Sequence, residues 1–158
     1  LNDRCGDLKA PERNISWVLQ CSWLSGIKMA GLADSRVKAV VAVSPPLRLL
    51  FEPSSADRLE AKLLLVSGSR DWVVPSGPEA IRPMSETGAA EKGHRLVLVD
   101  GADHFSLRSF RGEAQPALMG PLMLGWLNEH LQVPGSPRFS QGGWGDQQIQ
   151  MVDVSERL

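Results

Sequence analysis

The sequence predicts an α/β fold, with a mostly parallel sheet and helices on both faces. Three observations carry that expectation. Three short runs, residues 37–43, 62–66 and 95–99, are nearly continuous in Val, Leu and Ala, as strands buried on both faces require. Each run stops at turn-forming residues: Ser44-Pro45-Pro46, Ser67-Gly68-Ser69 and Asp100-Gly101. Helix-like segments fall around and between the runs, and such alternation fits parallel strands joined by right-handed crossovers.

Taken in order, residues 15–20 form a weaker apolar run and a fourth strand candidate. Residues 23–34 suit a helix that Gly26 and Gly31 weaken. Ser76-Gly77-Pro78-Glu79 has the spacing of a capping box, with Ser as cap, Glu three positions on and an early Pro. Pro83 then keeps that helix short. Leu118, Met119, Leu122, Met123, Trp126 and Leu127 follow the rhythm of an amphipathic helix ending near Leu131, which Pro121 either starts or kinks. Beyond that point Pro134, Gly135, Pro137, Gly142, Gly143 and Gly145 crowd together. The expected division is therefore a domain over residues 1–132 and an extended Pro/Gly-rich tail over 133–158. Met151-Val152-Asp153-Val154 could add a short edge strand.

A chain of 158 residues can bury a real core. Its formal net charge of −1 gives no general attraction for nucleic acid or anionic membrane, and no apolar run reaches the roughly 20 residues of a membrane span. Leu1-Asn2-Asp3-Arg4 lacks the basic and apolar regions of a signal peptide. The absence of an initial Met leaves an upstream signal unobservable, so compartment is undetermined. Cys5 and Cys21 do not make a disulfide framework. His94, His104 and His130 have no metal-ligand spacing, so neither a metal nor a cofactor is expected.

Ligands of open α/β sheets gather at the carboxyl ends of the strands. Asp71 follows the second strong run and His104 the third. An Asp and a His on consecutive post-strand loops can act as the acid and base of a hydrolytic triad. The carboxylate holds the imidazole tautomer, and the imidazole takes the proton of a nucleophile. Asp103 is a rival acid, but it adjoins the His and is poorly placed to reach its inner nitrogen.

Residues 36–131 resemble the C-terminal half of an α/β-hydrolase of the dienelactone-hydrolase and esterase-like kind. The segment from Lys62 to Pro75, with Gly68-Ser69-Arg70-Asp71, is similar to the family's acid-bearing strand and loop, and Asp100-Gly101-Ala102-Asp103-His104-Phe105 to its histidine-bearing loop. The resemblance implies Asp71 as acid and His104 as base, in the family's order of nucleophile, acid and His. It implies a carboxylic ester or similar acyl compound as substrate. It also implies a partial fold whose N-terminal strands are missing, leaving a sheet edge open to self-association.

The family's nucleophile elbow, strand then G-x-S-x-G then helix, would fall on Cys21-Ser22-Trp23-Leu24-Ser25-Gly26. The best-fitting alignment puts Trp23 at the nucleophile position. Ser22 is the first alternative, with Ser25 and Cys21 behind it. The oxyanion donor of an early strand would lie upstream, and losing one such donor costs on the order of 3 kcal/mol. Two readings follow: a truncated ester hydrolase with Ser22, His104 and Asp71 as its triad, or a non-catalytic hydrolase-like binding or interaction protein whose elbow has decayed.

Overall fold

A computed structural model describes residues 2–11, 13–24, 34–51, 58–108, 115–142, 144 and 150–158. The three strong runs are strands: β1 Ala39–Val43, β2 Lys62–Gly68 and β3 Arg95–Val99. The edge-strand expectation near the C-terminus also holds, as β4 Met151–Asp153. The sheet order is β1-β2-β3-β4, with the first two pairings parallel and the last antiparallel. Val43 lies opposite Val66, and Gly68 opposite Val99.

Both faces of the sheet are covered, which is why the runs do not alternate with polar residues. Leu64, Val66, Val97 and Val99 pack against Met119, Leu122 and Trp126 of a long helix. Leu65 and Leu96 face the other way, onto Ala80, Met84 and Ala89. The result is a three-layer α/β arrangement. Among the described residues the α-helices, in chain order, are α1 Asn2–Gly6, α2 Ile15–Leu24, α3 Leu47–Leu50, α4 Arg82–Glu86, α5 His104–Arg108 and α6 Gln115–His130. Pro121 lies inside α6.

Residues 15–20 are not a strand but the first turns of α2. Asn14 caps the helix: its Oδ1 accepts the backbone N–H of Trp17 at 3.2 Å. Trp17 is buried and its indole N–H donates to Glu79 Oε1 at 2.5 Å. A continuous apolar run is compatible with either structure; the cap and this distant contact decide for the helix. Cys5 and Cys21 are joined in a disulfide that ties α1 to α2, with their Cα atoms 5.4 Å apart. Of the expected helix over 23–34, residues 25–33 lie outside the described residues.

The capping box at Ser76 does not form. Ser76 has helical angles and no side-chain capping bond, and a π-turn runs from Gly77–Ile81 into α4. Glu79 turns inward instead and is only 1% exposed. It accepts from Asn14 Nδ2 at 2.6 Å, from the Trp17 indole and from the Arg48 backbone N–H at 2.9 Å. Pro83 does not stop the helix, because it falls in the first turn of α4, where a missing N–H costs little.

The chain beyond residue 132 packs on this domain where it is described. Phe139 is buried edge-on against Trp126, with Trp144 stacked on it at 5.4 Å. Beyond β4, the Ser155 hydroxyl accepts the Leu96 backbone N–H at 2.7 Å.

Candidate active site

β2 and β3 end side by side, and their following loops are laced together. Ser69 N–H donates to the Val99 carbonyl and Arg70 N–H to the Ala102 carbonyl, each at 3.0 Å. The Ser69 hydroxyl donates to Asp100 Oδ1 at 3.0 Å and accepts the Gly101 N–H at 2.8 Å. Gly68 makes this approach feasible, because a Cβ there would overlap the Ala102 carbonyl oxygen. Gly101 adopts φ +71°, a left-handed turn that glycine enters without strain.

The loops bring Asp71 and His104 together. Asp71 Oδ2 lies 2.9 Å from His104 Nδ1. The Asp71 side chain is fully buried and that of His104 is 11% exposed. The other carboxylate oxygen, Oδ1, accepts the backbone N–H groups of Val73 at 3.0 Å and Val74 at 2.8 Å. Two backbone donors mark the carboxylate as an acceptor, and the imidazole accordingly donates its Nδ1–H to Oδ2. The base nitrogen left to the ring is Nε2, which no hydrogen bond reaches among the described residues.

Asp103 has a different task. Its Oδ1 accepts from the N–H groups of Phe105 at 2.9 Å and Ser106 at 2.7 Å, while its own N–H donates to Ser106 Oγ at 2.8 Å. These bonds cap α5, and the Ser106 N–H above all holds the carboxyl below its ordinary pKa. The cap fixes the first turn on which His104 sits.

Two aromatic rings flank the pair. Trp72 and Phe105, each following one of the two residues in sequence, are 59% and 61% exposed with ring centroids 6.2 Å apart. The Phe105 ring stands edge-on to the imidazole at 5.8 Å. Leu107, the third apolar neighbour, is buried in the core below.

Ser22 lies on α2, exposed, with its hydroxyl donating to the Leu19 carbonyl at 2.7 Å. No hydrogen bond joins it to His104 among the described residues. Cys21 is in the disulfide, so it offers no thiol. Trp23 is 83% exposed, and Ser25 lies outside the described residues. The strand expected before the elbow is therefore replaced by helix, and residues 21–24 continue that helix.

Among the described residues, no three His, Cys, Asp or Glu side chains are grouped to hold a metal ion. No helix among them is long and apolar enough to cross a membrane. In comparisons with known proteins, no family model, curated protein or solved structure matches this chain.

Proposed function

We propose that Asp71 and His104 are the acid and base of an α/β-hydrolase-type triad acting on carboxylic esters or related acyl compounds. The single observation that carries the reading is the 2.9 Å bond between Asp71 Oδ2 and His104 Nδ1, at the carboxyl ends of adjacent parallel strands. In this reading Asp71 orients the ring and stabilises the imidazolium. His104 Nε2 takes the proton from the nucleophile as it attacks the acyl carbon, then returns it to the departing alkoxide. Trp72 and Phe105 supply an apolar wall for the ester. Ser22 is the nucleophile assigned first, and the reaction then requires its hydroxyl to leave the Leu19 carbonyl and reach Nε2. The hydrolase half-fold implied by residues 36–131 belongs to the same proposal.

The helical form of residues 21–24 favours a second reading, a non-catalytic hydrolase-like protein that keeps the acid–base pair without an elbow. A fluorophosphonate probe with intact-mass and peptide mapping separates the two. One adduct on Ser22, lost in His104→Ala, supports the enzyme. A folded sample that takes no adduct rejects it in favour of the second reading.

A further inference from the structure

Away from the acid–base pair, a cavity of about 200 Å³ opens beside α3, α4 and β2. Its walls are mostly apolar, with Leu47, Phe51, Leu63, Leu65 and Met84 among them. His94 also lines it and immediately precedes β3, whereas His104 follows that strand, so the cavity and the acid–base pair involve opposite ends of β3.

The polar groups on this lining are few. His94 is only 2% exposed. Its Nδ1 accepts the Leu63 backbone N–H at 3.1 Å, so the neutral ring carries its proton on Nε2. Burial above all, with Lys62 and Lys92 nearby, holds its pKa below the ordinary value and keeps it neutral. No hydrogen bond reaches Nε2 among the described residues. Arg48 is half-committed: one guanidinium nitrogen meets Glu86 Oε2 at 2.6 Å, while its buried Nε has no partner. Arg58 also borders the space, so among the described residues two guanidinium groups and one carboxylate line it. A buried donor without an acceptor, here Arg48 Nε, is uncommon and calls for a partner, and the charge balance favours an anion.

We infer that this cavity binds a small monocarboxylate with an apolar body, its chain or ring against Leu63, Leu65 and Met84 and its carboxylate toward His94 and the arginines. The size agrees, since an apolar cavity of about 150 Å³ holds one benzene ring, and this space suits a ring or a chain of roughly six to eight carbons. The inference is independent of the hydrolase proposal.

Octanoate, used below its micelle concentration, is the probe. Titration followed by the His94 ring resonances should saturate with a Kd of about 0.1–1 mM, the range for a ligand of this size. Octanol should bind more weakly. Arg58→Gln should weaken octanoate about tenfold, equivalent to 1.4 kcal/mol, and leave octanol unchanged. Leu63→Phe, which fills the cavity, should abolish the shifts. If that variant does not fold, nuclear Overhauser contacts from octanoate to the Met84 methyl in the unmodified protein replace it, their presence supporting the site and their absence rejecting it. A folded protein with no saturable His94 shift would overturn the inference. Undiminished binding to folded Leu63→Phe, or octanol binding as tightly as octanoate, would also overturn it.

Discussion

Glu79 joins the start of α2 to α3, and its removal has a calculable consequence. Glu79→Ala takes the acceptor from the Trp17 indole N–H and the Arg48 backbone N–H, and removes one bond of Asn14. Each buried donor left without an acceptor costs about 1–3 kcal/mol, so the loss should total about 3–5 kcal/mol. With a urea slope of about 2 kcal/mol/M, the midpoint should fall by roughly 2 M. Glu79→Gln should behave differently. Burial, outweighing the three bonds, raises the pKa of Glu79 above its ordinary 4.5. The folded state therefore holds this proton more tightly than the unfolded chain. Its contribution to stability falls as pH rises from 4.5 to the raised value, and is level above it. Gln keeps one acceptor oxygen for Asn14 and Trp17 but turns an NH2 toward the Arg48 N–H, so it should cost about 1–3 kcal/mol, less than Ala, and flatten that slope. Urea midpoints for the three proteins between pH 4 and 8 make the comparison. An Ala variant within about 0.3 M of the parent midpoint, well inside the expected shift, would refute the role given to Glu79.

Other perturbations separate the parts of the active-site region. Gly68→Ala should destabilise the fold by at least about 2 kcal/mol, because backbone rather than a flexible side chain occupies the Cβ position; thermal unfolding measures it. Asp103→Ala should lower the melting temperature through the lost cap of α5, yet the Asp71–His104 proton resonance should persist. Reducing the Cys5–Cys21 bond releases a loop of sequence separation 16, worth about 3 kcal/mol, and denaturation with and without reductant reads it.

The strands were legible because their burial is two-sided: β1, β2 and β3 carry apolar runs followed by turn-forming residues, although β2 continues past its run through Ser67 and Gly68, which pair with Leu98 and Val99. Asp71 and His104 were legible for the same reason, since a strand's end fixes where the next loop emerges. Residues 15–20 were not. Their apolar run has no distinguishing period, and the helix is settled by Asn14 and by Trp17 reaching Glu79, 62 residues away. The same contact explains the failed capping box: a buried carboxylate with three distant donors outcompetes a local bond to its own helix end. The Cys5–Cys21 pairing likewise depends on how α1 meets α2. The one usable signal for α2 was Asn14 itself, a capping residue directly before the apolar run.

The most direct measurement of the central claim is the tautomer and proton of His104, read by nitrogen-15 correlation spectra of the histidine ring. The bond to Asp71 requires the neutral ring to be protonated at Nδ1, giving a strongly deshielded proton that disappears or shifts in Asp71→Asn while the His94 signals stay in place. A ring protonated at Nε2, or a His104 spectrum indifferent to Asp71→Asn, would contradict the account.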